Sequence, residues 1–405
     1  MIPPGDTPEP PGFPVPANGP LGRLAARNPI IVCCGSGGVG KTTTAAVLAL
    51  AGARQGRDAV VVTIDPAKRL ANALGLDALS DTVHEIDRAL WDLDGTAPEG
   101  GRLSAVMLDT KSTFDHLVLK YSADAAQGQR ILENRFYRNI SGALAGTQEY
   151  MAMEKLHELH DEGGYELIVI DTPPTRNALD FLDAPARLTR LLDNRVFRLV
   201  MAPTRASFRV ANLALQAFFR TVSKIIGTEV VEDLVLFFQA FEGMEDGFRR
   251  RAQRVLELLS DEGTAFVLVT APARDAVSEA RYFADRLEKA GLRVDGLVVN
   301  RIHPELGAEP PERLGPLSGD ETAARQLREL YDNLADFVEL SKRELGHLAA
   351  LERSVAELSG GRPRTPGVPV VKVPLLEVEV CDIESLTEVG RYLLAPASDG
   401  RSTAG

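Results

Sequence analysis

An α/β fold built on a parallel sheet, covered by helices on both faces, is the fold class that this sequence predicts. The first observation is a series of short, mostly apolar runs rich in Val, Ile or Leu. Helical patterns separate these runs, an order typical of parallel strands joined by helices. The second observation is a glycine-rich turn that follows the first apolar run and precedes an apolar helical run. The predicted strands span residues 30–34, 59–64, 104–108, 167–170, 265–270, 294–299 and 369–373.

Two long intervals interrupt this alternation of strands and helices. Residues 110–163 and 184–262 hold amphipathic helical patterns without a convincing strand. We therefore predict a helical subdomain inserted into an α/β body that spans residues 21–394. The two ends, residues 1–20 and 395–405, are predicted to be disordered tails, the first because it is rich in Pro and Gly.

The net charge and the cysteine content limit which partners and which cellular compartment the sequence supports. The chain of 405 residues has a formal net charge of −12, which argues against nucleic acid as the main partner. Cys33 and Cys34 are adjacent in a predicted strand and point to opposite faces, so with Cys381 they cannot form a disulfide framework. We expect a cytoplasmic protein with no secretory signal and no transmembrane helix.

The glycine-rich turn has the spacing of a phosphate-binding loop. Gly35, Gly40, Lys41 and Thr42 satisfy the pattern G-x-x-x-x-G-K-[ST] between a strand and a helix. Glycines bring backbone N–H groups close to phosphate oxygens, and the helix N-terminus adds its positive dipole. Lys41 supplies a charge to the terminal phosphates and the Thr42 hydroxyl is placed to ligate Mg²⁺. The predicted loop residues are Gly35, Ser36, Gly37, Gly38, Val39, Gly40, Lys41, Thr42 and Thr43.

Polar residues follow three of the predicted strands at their carboxyl ends, where ligands of parallel sheets lie. Asp171 follows residues 167–170 and is the kind of strand-terminal carboxylate that holds Mg²⁺. Asp65 follows another strand and could orient or deprotonate an attacking water. For both residues the alternative is an ordinary helix cap or turn. Asn300 also ends a strand, and its amide can read the adenine edge through a donor and an acceptor.

In combination and order these motifs resemble the ArsA-type ATPases. That family includes the arsenite-pump ATPase and the ATPase that targets tail-anchored membrane proteins, and it belongs to the deviant phosphate-loop group. The resemblance covers roughly residues 28–394. It rests on the loop residues 37–43, the switch-like residues 65–67 and 171–175, the turn at 146–149, the strand end at 298–301 and the segment 373–380.

The resemblance implies a dimer of two subunits that sandwich two ATP molecules. Lys41 and Asp65 would serve catalysis, and Thr42 and Asp171 would hold Mg²⁺. Asn300 would hold adenine, and a segment that includes Pro374 would close over the base. Hydrolysis would then move the helices and act on a client, a membrane protein or a transporter component.

Two places depart from the family pattern. In the second switch, Arg176 and Asn177 stand where the family usually has Gly and His. The other departure lies in the loop. The group usually has a second lysine after the first loop glycine, which reaches the partner's phosphates, and here that residue is Ser36. Slow hydrolysis, a substitute cation, or a heterodimer with a paralogous ATPase that keeps the lysine remain as alternatives to an ordinary homodimer. The cysteine cluster of the arsenite pump and the zinc-binding Cys-x-x-Cys pair are both missing from the sequence, so neither an arsenite site nor a zinc site is supported.

A basic stretch, residues 184–224, carries eight Lys or Arg residues against one acidic residue. Such a region can lie on an anionic membrane surface or an acidic partner, or it can be an ordinary helical surface over its own core. A peripheral membrane association is one expectation that follows. A ParA-like ATPase that organises DNA is a further alternative, which the negative net charge of the chain disfavours.

Overall fold

The computed structural model describes most of the α/β body. The described residues are 18–64, 69–76, 79–140, 147–173, 233, 245–304, 321–359, 368–376 and 379–396. Three predicted features lie wholly or partly outside them: Asp65, residue 146 of the turn at 146–149, and the basic stretch 184–224.

A single sheet of eight strands organises the described residues. The strands are Ile30–Cys34 (β1), Asp58–Thr63 (β2), His84–Glu85 (β3), Arg102–Met107 (β4), Leu167–Asp171 (β5), Thr264–Thr270 (β6), Gly296–Ile302 (β7) and Val370–Pro374 (β8). Their spatial order is β3-β4-β2-β5-β1-β6-β7-β8, and every pair is parallel except β3 with β4. The predicted parallel α/β sheet is therefore confirmed.

The strands match the apolar runs closely, with two informative differences. The predicted strand at 294–299 is observed as Gly296–Ile302, because it continues through the polar pair Asn300 and Arg301. The two-residue strand His84–Glu85 was not predicted, since both residues are exposed at the sheet edge and give no apolar signal.

Helices connect the strands. They span Pro20–Arg27 (α1), Lys41–Arg54 (α2), Arg69–Ala73 (α3), Arg88–Trp91 (α4), Thr110–Tyr121 (α5), Ala125–Glu133 (α6), Arg135–Ile140 (α7), Thr147–His157 (α8), Glu245–Ser260 (α9), Arg274–Lys289 (α10), Glu321–Ser359 (α11) and Ile383–Leu393 (α12). A π-helical turn, Glu158–Glu162, continues α8. In the part of the chain that the structure describes, we find no helix long and apolar enough to cross a membrane.

In the first interval that breaks the strand rhythm, the described residues 110–140 and 147–163 hold helices α5 to α8 and the π-helical turn. The second interval lies outside the described residues apart from residue 233 and residues 245–262. The inserted helical subdomain and the domain limits therefore stay predictions.

The two faces of the sheet carry separate hydrophobic cores. Ile30 and Val32 of β1 point into one core, while Ile31 and Cys33 point into the other, as the two-residue period of a strand requires. Helices α8, α9, α10 and α11 contribute to the first core, and α1, α2 and α12 to the second. The sheet is thus buried on both sides, which explains the continuous apolar runs of its strands.

Helix α2 is the element that carries the phosphate-loop lysine, and it is buried nearly all round. Its middle is rich in alanine, and a Cβ added at Gly52 would lie only 2.4 Å from Leu167 Cδ2 of β5. Small residues therefore let the helix lie close to the central strands, while α1 and α12 cover its outer side. This packing fixes the first turn of α2 relative to the carboxyl ends of β1 and β5.

The far end of α2 is anchored by a buried arginine. Arg54 donates hydrogen bonds to the backbone oxygen of Trp91 (3.0 Å) and to the carboxylate of Asp94 (2.6 Å). Its guanidinium also lies 3.9 Å from the buried carboxylate of Asp92. Burial acts to raise the pKa of Asp94, but hydrogen bonds from Arg54 and Thr96 outweigh it and bring that pKa down to about 2.

We expect Arg54→Met to lower the free energy of unfolding by about 3 kcal/mol, because it leaves buried acceptors without their donor. Urea unfolding followed by circular dichroism measures the change. Lys289→Met is the control, since its i,i+4 pair with Asp285 is exposed and should contribute about 0.5 kcal/mol or less. Equal effects of the two substitutions would contradict the anchoring role of Arg54.

Candidate functional site

The glycine-rich loop joins β1 directly to α2. Gly40 caps α2 with a left-handed backbone (φ 97°), and Gly38 is also left-handed (φ 74°). A Cβ at Gly35 would lie 2.0 Å from the backbone oxygen of Val269, so the loop begins in direct contact with β6. These three positions therefore require glycine for backbone angle or space, as the sequence pattern predicts.

Lys41 opens α2 and lies inside the loop. It is only 5% exposed, and its Nζ donates a hydrogen bond to the backbone oxygen of Ser36 at 2.7 Å. The Ser36 Oγ is buried and makes no hydrogen bond to the described residues. The cation is thus held within the curve of the loop, where phosphate oxygens would lie.

Two buried thiols lie behind the loop on β1. Burial raises the pKa of Cys34 to about 12, although the nearby charge of Lys41 acts in the opposite direction. Burial and then the Asp171 carboxylate also raise the pKa of Cys33. Both thiols stay protonated at neutral pH, so neither is a nucleophile of this site.

A carboxylate joins the loop to the two neighbouring strands. Asp171, the last residue of β5, is 1% exposed, and its Oδ2 accepts hydrogen bonds from Thr42 Oγ1 (2.7 Å) and Thr63 Oγ1 (2.9 Å). The register explains the contact, since Asp171 is paired with Cys33 of β1 and with Thr63 of β2. A hydroxyl oxygen and a carboxylate oxygen are hard ligands, so Thr42 and Asp171 form a donor set that fits Mg²⁺.

Asn300 lies on β7, which stands on the opposite side of β1 from β5 in the strand order, and it contacts the loop from there. Its Nδ2 donates to the backbone oxygen of Val39 at 2.9 Å, and its Oδ1 accepts from the backbone N–H of Arg301 at 2.9 Å. A Cβ at Gly40 would lie 2.2 Å from the Asn300 Nδ2. The structure thus brings Asn300 onto the phosphate loop itself, a contact that the sequence does not indicate.

A cavity of about 440 Å³ lies between these elements. This volume is within the range of about 300–1,000 Å³ that small-molecule sites occupy. Its walls include eight residues that sequence reasoning selected: Gly38, Gly40, Lys41, Thr42, Thr43, Asp171, Asn300 and Pro374. Gly35, Ser36, Gly37 and Val39 complete the loop backbone.

Sequence reasoning missed Arg69 and Asn72 of α3, which line the same cavity and had no local signal. Arg301 and Glu379 also line it, and both lie within segments that carried the family resemblance, residues 298–301 and 373–380. Asp65, the predicted water-orienting residue, lies outside the described residues, and its position next to this cavity stays a prediction.

The strand, loop, buried lysine and strand-terminal aspartate place this chain among the phosphate-loop NTPase folds of the α/β class. The family model for anion-transporting ATPases of the ArsA type matches residues 28–358. The chain belongs to this family, as the sequence resemblance indicated.

Individual relatives extend the likeness over most of the chain at low identity. An "ATPase GET3" of Malassezia globosa is 24% identical over 370 residues, 90% of this chain and 91% of that protein. The "uncharacterized protein SCO2128" of Streptomyces coelicolor is 26% identical over 303 residues, 75% of this chain and 70% of that protein. An "ATPase GET3C" of Arabidopsis thaliana is 23% identical over 373 residues, 88% of this chain and 80% of that protein.

The two left-handed loop glycines allow a matched test of the Asn300 contact. Gly38→Ala introduces only backbone strain, since nothing lies within 4 Å of its new Cβ. This strain should lower the free energy of unfolding by roughly 1–2 kcal/mol. Gly40→Ala adds a steric clash with Asn300, so we expect a larger fall in the thermal unfolding midpoint. Equal midpoints for the two variants would show that Asn300 does not pack against Gly40.

Proposed function

We propose that this chain is a Mg²⁺-dependent ATP-binding and ATP-hydrolysing switch of the ArsA family. The observation that carries the proposal is the contact between Thr42 and Asp171 beside the buried Lys41. It unites a phosphate-binding cation and a pair of Mg²⁺ ligands at the mouth of one cavity. A purely structural glycine turn has no need of that combination.

The residues divide the chemistry among them. The backbone N–H groups of the loop and the Lys41 ammonium bind the phosphates, and Thr42 and Asp171 would hold the metal. Mg²⁺, when bound, neutralises charge on the phosphates as it develops. Asp65 would orient the attacking water, while Asn300 and the segment at Pro374 would hold the base.

A dimer that couples its nucleotide state to a second protein is the wider proposal. The family model is described as an anion-transporting ATPase, and several relatives are named ATPase GET3 or GET3C. These relations support a client that is a membrane protein or a transporter component. The basic stretch 184–224 supports contact with an anionic membrane surface.

A second candidate is a weakly hydrolysing or non-hydrolysing subunit of a heterodimer with a paralogous ATPase. The Ser36 side chain favours it, because a hydroxyl cannot supply a charge to a partner's phosphates. The Ser36 Oγ is also buried within its own loop, and its backbone oxygen accepts the Lys41 hydrogen bond.

Removal of the lysine tests nucleotide binding. We expect Lys41→Ala to weaken ATP binding by roughly 10- to 150-fold, the loss expected for one charge-assisted contact. Isothermal titration with ATP and Mg²⁺ measures the dissociation constant, and Lys289→Ala, an exposed lysine on α10, is the control. An unchanged dissociation constant in the Lys41 variant would refute the proposed phosphate site.

Ser36 separates the two candidate functions. If the missing cross-subunit lysine limits turnover, Ser36→Lys should raise the steady-state ATPase rate of the isolated protein by roughly 10- to 150-fold. Ser36→Gln, a long neutral side chain, is the matched control and should give no gain. Robust turnover by the natural chain, with no gain in the Lys variant, would mean that another cation already serves this role.

A further inference from the structure

Asn300 uses both ends of its side-chain amide inside the protein. Nδ2 donates to the backbone oxygen of Val39 in the phosphate loop, 261 residues away along the chain, and Oδ1 accepts from the backbone N–H of Arg301. The two contacts select the same orientation of the amide, because a reversed side chain would place two oxygens, and two N–H groups, against each other. Asn300 therefore bridges β7 and the phosphate loop in one defined rotamer.

The local backbone of β7 is shaped to present Asn300 in this way. The pairing of β7 with β8 shifts register between Val299 and Ile302, and Arg301 has a left-handed backbone (φ 61°). A bulge re-aims a side chain, and a left-handed non-glycine residue costs of order 1–3 kcal/mol. Such strain persists where the surrounding structure requires it, and here it lies at the residue whose N–H orients Asn300.

The phosphate loop has a matching feature. Gly40 has no Cβ, and one placed there would lie 2.2 Å from Asn300 Nδ2. The absence of a side chain at Gly40 thus admits the Asn300 amide to the Val39 carbonyl. The amide of Asn300 and the last glycine of the loop are far apart in the sequence, but they lie against each other in the fold.

The amide retains capacity for a ligand. An asparagine side chain has two N–H donors and an oxygen with two lone pairs, and the protein uses one of each. Asn300 lines the cavity, and a base bound there could use the second donor or the second lone pair. The same group can therefore hold the phosphate loop and a base at the same time.

We propose that Asn300 is a positioning residue for the phosphate loop, in addition to any contact with the base. It holds the Val39 carbonyl turned toward β7, so that the loop keeps its curvature around Lys41. The inference rests on the proposed function, because it assigns Asn300 a second role within that nucleotide site. It implies that a triphosphate without a base also depends on Asn300.

Inorganic tripolyphosphate is the probe that separates the two roles. We expect Asn300→Ala to weaken the binding of Mg²⁺-tripolyphosphate by roughly 2- to 12-fold, the effect of one hydrogen bond, and to weaken ATP at least as much. Isothermal titration of the full chain with each ligand gives both constants. If ATP binding falls while tripolyphosphate binds as it does to the natural protein, Asn300 contacts only the base and the proposal is overturned.

Asn28→Ala is the matched control. Asn28 Nδ2 also donates to a distant backbone oxygen, that of Gly263 at 2.9 Å, but it lies at the other end of β1, away from the cavity. This variant should lose a similar amount of stability and leave both dissociation constants unchanged. A fall in tripolyphosphate affinity in both variants would assign the effect to general destabilisation and would overturn the proposal.

Hydrogen exchange tests the positioning role without any ligand. We expect the amides of residues 36–40 to exchange faster in Asn300→Ala than in the natural protein, with no such change in Asn28→Ala. Equal exchange in the loop would overturn the proposal. If the natural protein binds neither ATP nor tripolyphosphate, the proposed function fails, and faster exchange in the Asn300 variant would still support the positioning role on its own.

Discussion

The Asp171 carboxylate is the point on which the candidate site depends. A buried carboxylate is costly unless hydrogen-bond donors surround it, and Thr42 and Thr63 supply two hydroxyls at 2.7 and 2.9 Å. These donors come from the start of α2 and the end of β2, while Asp171 ends β5. One group therefore ties together the start of α2 and the ends of β2 and β5.

The contacts of Asp171 require both the correct strand register and the correct position of α2 over the sheet. Parallel pairing sets Asp171 level with Cys33 and Thr63, and a shift by one residue would turn the carboxylate to the opposite face. The alanine-rich α2 lies close to the sheet and is covered by α1 and α12, so its first turn cannot move away. The apolar packing of α1, α2 and α12 thus determines the geometry of the polar site.

The glycine-rich loop has a single cationic side chain. Lys41 is the loop's one cation, and it bonds to the backbone oxygen of Ser36 in the same loop. Where the family pattern has a second lysine, this chain has a buried hydroxyl. Arg69 and Arg301 also line the cavity, so whether either of them supplies the charge of the missing lysine is the central question for the proposed activity.

The sequence by itself determined the elements whose signals are local. Residues 30–34, the glycine turn and the start of α2 follow from apolar periodicity and from glycine spacing, both of which act between near neighbours in the chain. The strand-terminal position of Asp171 follows in the same way. Only the tertiary structure decided that Asn300 bonds to Val39, or that Arg69 and Asn72 line one cavity with Lys41. These contacts join residues far apart in the chain, and they depend on how whole elements pack, which no local pattern records.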